Sequence, residues 1–278
     1  MNNPKILYIL IGIFCFFAII AGIYAEFVDG GTEEIFTGNN GESEVIEKDS
    51  ETIKNQLNGL FTSTINLNGY DASKIKKLDS SKEIVYTAFD VIREEELYEI
   101  NIKIPVVNIS STVANSFNTI TQDLFINKAN EIIRNTDKNK KALYTIDYAA
   151  FVNDNILSVI IRSTLKESTS AQRVIIQTYN YNLETGEQVK LIDIITKKML
   201  NKEDVDKKIK EVVQQADIDA KAVQSMGYND IYTRDLNDSR YSVDGATTYF
   251  LGPNKELYII YAYGNNEFTS EMDVVLFE

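Results

Sequence analysis

Apolar positions follow three patterns along this chain, and each predicts a different kind of element. Residues 6–25 form an unbroken apolar run with no charged residue. At about 1.5 Å rise per residue, ~20 helical residues cross the ~30 Å hydrocarbon layer of a bilayer. A cleaved signal peptide is the competing reading, but the run outlasts the ~7 to 15 residues of a signal h-region. Only Lys5 supplies side-chain charge ahead of it, and Ile23-Tyr24-Ala25 is a poor cleavage site. The run therefore reads as a retained single-pass anchor following a cytoplasmic stub of residues 1–5. Lys5 and the terminal amine, against no Lys or Arg between Glu26 and Lys48, place the N-terminus inside and the remainder outside. Cys15, in the middle of the run, reads as lipid-facing.

The second pattern is apolar spacing at three, four and seven, which predicts amphipathic helices. It occurs in a short segment capped by Ser50, with Ile53, Leu57, Leu60 and Phe61, ending near Thr62. A longer one is capped by Ser111 and carries Val113, Phe117, Ile120, Leu124, Ile132 and Ile133 to about Arg134. A third covers residues 201–216, with Val205, Ile209, Val212 and Val213 on one face and Lys207, Lys208 and Lys210 on the other.

The third pattern is short runs rich in Ile, Val, Tyr and Phe, many of them alternating, which predict strands. They span residues 82–92, 97–107, 142–152, 156–165, 173–183, 246–251, 256–263 and 270–277. Pro105 should close its strand or lie at an edge. Asn153-Asp154-Asn155 signals a hairpin, and Glu184-Thr185-Gly186-Glu187 is a tight turn into Val189 to Leu191. Residues 257–263 are apolar on both faces and belong at the centre of a sheet. Residues 26–48 are acidic and rich in Gly and Asn, a flexible linker. The order of elements predicts an α+β fold of antiparallel sheets with two main amphipathic helices, in two subdomains, 49–168 and 169–278, meeting near residues 166–172.

Composition narrows the chemistry. The net charge is -13, and because Lys5 is the one charged side chain up to residue 25, the part beyond the apolar run carries -13 - 1 = -14. Such a surface repels nucleic acid and anionic lipid headgroups and attracts basic partners. The lone Cys allows no intramolecular disulfide, which fits a bacterial cell surface. There is no histidine, so Ser/His/Asp and Cys/His catalysis and the usual zinc sites fall away. No metal and no cofactor is expected.

Several residues are candidate sites. Glu271 and Asp273 lie two apart on a predicted strand, ~6 to 7 Å apart on one face, near the spacing of an inverting glycosidase's carboxylates; a solvated strand face is the plainer reading. Asp193, at a predicted strand end, is an acid or base candidate or a turn cap. Ser163-Thr164-Leu165-Lys166 matches Ser-x-x-Lys but lacks its companion motifs. Asp235, Asn237 and Ser239 begin like a calcium loop, yet Arg240 and Ala246 stand where Gly and Glu are required. Tyr179 and Tyr181, and likewise Tyr261 and Tyr263, share a strand face; they serve either a recognition surface or the core.

Particular words and their order resemble a bacterial extracytoplasmic domain pair of unknown function. It is found in lysozyme-sensing anti-sigma factors and at the N-terminus of some peptidoglycan deacetylases. The words are Ile104-Pro105-Val106-Val107, Ile156-Leu157-Ser158-Val159, Tyr179-Asn180-Tyr181-Asn182-Leu183-Glu184-Thr185-Gly186, Leu191-Ile192-Asp193-Ile194-Ile195 and Glu271-Met272-Asp273-Val274-Val275. They fall within residues 83–277. Residues 166–172 depart from the family's Gly-Gly-Ala-His-like loop. With five residues ahead of the apolar run, control of a sigma factor is not expected. The resemblance implies an extracytoplasmic recognition module for a basic muramidase-like protein or a peptidoglycan-type glycan. The expectation is therefore a non-catalytic binding protein of the bacterial cell membrane, with Tyr179, Tyr181, Tyr261, Tyr263, Glu271 and Asp273 as candidate ligand contacts. A carboxylate-dependent glycan hydrolase and an assembly subunit of a membrane complex are the alternatives.

Overall fold

The protein is described here by a computed structural model covering residues 48–134, 141–170, 172–228, 231–263 and 271–278. The apolar run at 6–25, the stub before it and the linker up to residue 47 lie outside the described residues. Among those described, no helix is long and apolar enough to cross a membrane.

Four helices and nine strands are present among the described residues. In chain order they are α1 (Ser50–Gly59), β1 (Ile65–Asn66), β2 (Val85–Glu94), β3 (Tyr98–Val107), α2 (Thr112–Arg134), β4 (Ala142–Asn153), β5 (Ile156–Glu167), β6 (Arg173–Asn182), α3 (Leu191–Lys197), α4 (Lys202–Ser225), β7 (Tyr249–Leu251), β8 (Leu257–Ala262) and β9 (Met272–Phe277). The first sheet has six strands, ordered β2-β3-β4-β5-β6 with β1 added beside β4; the second runs β7-β8-β9. The fold is α+β, but the expectation of purely antiparallel sheets needs correction. β3 and β4 are parallel, from Tyr98 opposite Ala142 to Ile102 opposite Ile146, and β1 is parallel to β4. The cause is α2: a helix between two strands returns the chain to the starting end of the sheet, so the next strand enters parallel. β8 is central in its sheet, as its two apolar faces require.

Local signals fix the helix ends. Ser111 caps α2 by accepting from the Val113 N–H at 3.2 Å, and Asn201 caps α4 by accepting from the Glu203 N–H at 2.7 Å. The cap of α1 is Asp49 rather than Ser50, its carboxylate accepting from the Thr52 N–H at 2.8 Å. Pro105 sits opposite Thr87, beyond the last β3 residue paired with β4, so its missing N–H interrupts no second ladder.

Three apolar clusters stack the elements as helix, sheet, sheet, helices. The first lies between α2 (Phe117, Phe125, Ile132) and one face of the first sheet (Ile102, Tyr148, Val159, Tyr179). The second joins the facing surfaces of the two sheets (Phe151, Ile160, Val174 with Phe250, Ile260, Val274), sealed at one side by Ile53 and Leu57 of α1. The third packs α3 and α4 (Ile194, Val205, Ile209, Val213) on the outer face of the second sheet. Residues 48–278 form one compact unit. β6, which lies beyond residue 168, pairs along its length with β5 in the first sheet.

A buried polar stitch fastens the sheets to one another. β7 is an edge strand whose outward backbone groups would be orphaned in the interior, a costly arrangement. Side chains of the first sheet satisfy them: Ser158 Oγ accepts from the Leu251 N–H at 3.1 Å, and Asn180 Nδ2 donates to the Tyr249 carbonyl at 2.8 Å. The Ser158 hydroxyl donates to Asn180 Oδ1 at 2.7 Å, and Thr178 Oγ1 accepts from the Tyr249 N–H at 3.2 Å. Ser158→Ala leaves the buried Leu251 N–H without its acceptor and is expected to lower stability by ~1–3 kcal/mol, read by denaturant unfolding.

Candidate functional site

The polar segment after α4 folds back on the second sheet and delivers Arg234 to β9. Further along the same segment the chain makes a tight turn that only glycine fits at 245, where a Cβ would stand 2.1 Å from the Ser239 carbonyl oxygen. Asp273 is 2% exposed and Arg234 8%. The pair is bidentate, Arg234 Nε donating to Asp273 Oδ2 at 3.1 Å and Nη2 to Oδ1 at 2.9 Å. The Tyr263 hydroxyl donates to Asp273 Oδ2 at 2.7 Å, which completes the carboxylate's shell. Arg234 Nη1 donates to the Tyr232 carbonyl at 2.6 Å and lies 3.4 Å from Glu271 Oε2. The other Glu271 oxygen accepts from the Tyr232 N–H at 3.1 Å. From α4, Asp217 accepts the Arg234 backbone N–H at 3.0 Å and pairs with Lys221 at 2.6 Å. Burial raises the affinity of Asp217 for its proton, but the Lys221 bond, the Arg234 N–H and both cations outweigh it and hold the carboxyl below its usual range.

Arg234 and Glu271 also form one wall of an open cleft of about 590 Å³. Its floor is the first sheet, on the face that the second sheet covers further along. There β4 and β5 change from apolar to polar in step while β6 stays apolar: Thr145 stands opposite Thr164, which stands opposite Val174, and the neighbouring row holds Asp147, Arg162 and Ile176. Lys54 and Asn58 of α1 form the opposite wall, and Gln172 and Met272 complete the lining. Arg162 is fixed in place by Asp147, Asn58 and Phe61. Its Nε and Nη2 donate to the two Asp147 oxygens at 3.1 and 2.7 Å, Nη1 donates to Asn58 Oδ1 at 2.8 Å, and its guanidinium lies 4.0 Å from the Phe61 ring centroid.

No family model matches the sequence. No curated protein matches it either. Solved structures do resemble it. One is a DUF3298 family protein from Pseudomonas aeruginosa, 12% identical, with 64% of this chain and 79% of that chain covered and a TM-score of 0.35. Another is a DUF3298 family member from Bacteroides fragilis, 13% identical over the same shares of the two chains, with a TM-score of 0.30.

The residues singled out from sequence divide between two places. Tyr261, Tyr263, Glu271 and Asp273 come together: Tyr261 stands opposite Asp273 across β8 and β9, and the Tyr263 N–H donates to the Glu271 carbonyl. Tyr179 and Tyr181 lie instead in the first core, their rings 5.9 Å apart, with Phe117 stacked on Tyr179 at 4.4 Å. All four tyrosines are buried, between 3% and 6% exposed, so their rings pack the interior and offer no recognition surface. Asp193 does not end a strand. It lies in the first turn of α3 and accepts the Lys190 N–H at 2.9 Å, a helix-capping role. Ser163 and Lys166 are three apart on β5 and therefore point to opposite faces. Asp235 accepts the Asn237 N–H at 3.0 Å in a local turn, and no cluster able to hold a metal occurs among the described residues. Arg234 and the cleft were missed, because their residues are far apart in sequence and polar stretches carry no periodicity.

Proposed function

We propose that this chain is a membrane-tethered, extracytoplasmic recognition module of the bacterial cell surface that binds a wall-zone glycan non-covalently in the cleft floored by β4, β5 and β6. The observation that carries this reading is the lining. Hydroxyls and amides of Thr145, Thr164, Asn58 and Gln172, with a fixed arginine, make a concave polar surface of the type that takes sugar hydroxyls. The carboxylate pair argues against a hydrolase. Asp273 has both oxygens engaged by Arg234 and Tyr263 in a nearly sealed position, so neither water nor a glycosidic oxygen reaches it. Net charge favours a second reading, a basic muramidase-like protein held on the acidic exterior.

Calorimetric titration of the full chain in detergent, with soluble peptidoglycan fragments and separately with a basic muramidase, tests both. Saturable binding of the fragments, with no cleavage on product analysis, is the expected result. Binding of the muramidase alone, weakened by salt, would move the ligand to the second class. Flat traces for both would sink the recognition reading, and released sugars would restore the hydrolase.

A further inference from the structure

Resting on that reading of the cleft, we infer that its ligand carries a single carboxylate, recognised by Lys54. Around the cleft each other cation already has an anion: Arg162 has Asp147, and Arg234 has Asp273 and Glu271. Lys54 alone among the lining cations has no ion pair among the described residues, although it is half-buried at the wall of α1. The formal charges of Lys54, Arg162 and Arg234 are balanced by those of Asp147, Glu271 and Asp273, but both carboxylates beside β9 are spent on Arg234, so the Lys54 ammonium is the lining cation open to one further negative group.

Arg162 supports the same chemistry. A guanidinium has about five N–H donors. Two bonds run to Asp147 and one to Asn58, so the remaining donors have no partner among the described residues. The group is also immobilised by its stacking on Phe61, so a further acceptor would be bound with little loss of side-chain freedom. The neutral donors and acceptors at Asn58, Thr145, Thr164 and Gln172 flank these two cations and suit hydroxyl and amide groups of a sugar. The ligand class is thus an acidic saccharide: a ring with hydroxyl or acetamido groups and one carboxylate. A basic peptide is disfavoured at this place, because Lys54 would repel it.

The test compares N-acetylmuramic acid with its methyl ester, which keeps the ring and removes the charge, on the full chain in detergent. The free acid is expected to bind about tenfold tighter than the ester, the worth of one charge-assisted contact. Lys54→Gln, at a half-exposed helix position, should erase that difference and keep the thermal midpoint of the wild type. Equal binding of acid and ester, or an unaltered acid preference in Lys54→Gln, overturns the carboxylate assignment and leaves the glycan cleft standing. Absence of binding for acid, ester and larger peptidoglycan fragments alike overturns the inference and the glycan reading with it.

Discussion

Replacing Asp273 by Ala is expected to destabilise the protein by roughly 3–5 kcal/mol, because it strands the Arg234 guanidinium in the interior without its anion. For a unit of this size that is a fall in midpoint of roughly 10 °C. The size of the effect follows from position: the Asp273 side chain is 1% exposed and that of Arg234 5%. Glu271, 3.4 Å from Arg234 and 21% exposed, compensates only in part. The double replacement Arg234→Met with Asp273→Leu removes both charges together and should recover most of the loss, since apolar residues of similar volume are often tolerated where a buried pair stood. A double replacement no more stable than Asp273→Ala would show instead that the segment after α4 needs the ion pair to dock at all.

The second large effect is alkaline unfolding. Burial raises the pKa of Tyr144, Tyr148, Tyr179, Tyr249, Tyr261 and Tyr263, and pushes Tyr241 and Tyr258 up to about 12. The folded state keeps these eight phenolic protons at pH values where the unfolded chain, with tyrosines near pKa ~10, releases them. Stability from this source is therefore complete below pH ~10 and is lost as pH rises above it. The most strongly raised, Tyr144, Tyr179, Tyr241, Tyr258, Tyr261 and Tyr263, each lose about 1 kcal/mol of stabilisation per pH unit above 10, so together they remove several kcal/mol, roughly half or more of a domain's whole stability, near pH 11. Cooperative unfolding within about one to two pH units above 10 is expected from circular dichroism. On the acid side Asp217, held below its usual range, contributes stability that is present above pH ~4 and lost as pH falls below it. No histidine titrates between these limits, so a profile with a broad maximum around neutrality is expected. Unfolding midway between pH 6 and 9 would contradict it.

What the sequence made legible was set by periodicity. The amphipathic spacing of 112–134 and the alternation of 98–107 and 142–153 place their elements within a few residues, because one buried face suffices to specify each. Failures occurred where several structures satisfy the same pattern. The segment from Val189 to Leu191 reads as a strand ending near Asp193, yet Leu191–Lys197 forms α3, where Asp193 accepts from the Lys190 N–H and Leu191, Ile194 and Ile195 share the buried face. α4 runs to Ser225, nine residues past the boundary at Ala216, because Asp217 is polar by composition but is buried as a partner of Lys221 and Arg234. The tyrosine pairs on shared strand faces were correctly placed on their strands, but alternation does not say what covers a face. Helices cover both of them, α2 over Tyr179 and Tyr181 and α3 with α4 over Tyr261 and Tyr263. The cleft joins α1, three strands and the start of β9, contacts of long sequence separation that no local pattern encodes.

The most direct test of the glycan cleft is to block it and its opposite face in turn. Thr164→Arg fills the floor between Lys54 and Arg234, whereas Ile175→Arg alters an exposed position, 49% accessible, on the face of the first sheet that carries α2. Soluble peptidoglycan fragments titrated into each full-length variant should bind Thr164→Arg roughly tenfold or more weakly than wild type and Ile175→Arg unchanged, with thermal midpoints preserved in both. Undiminished binding to Thr164→Arg, or a loss confined to Ile175→Arg, would contradict the assignment of the cleft as the ligand site.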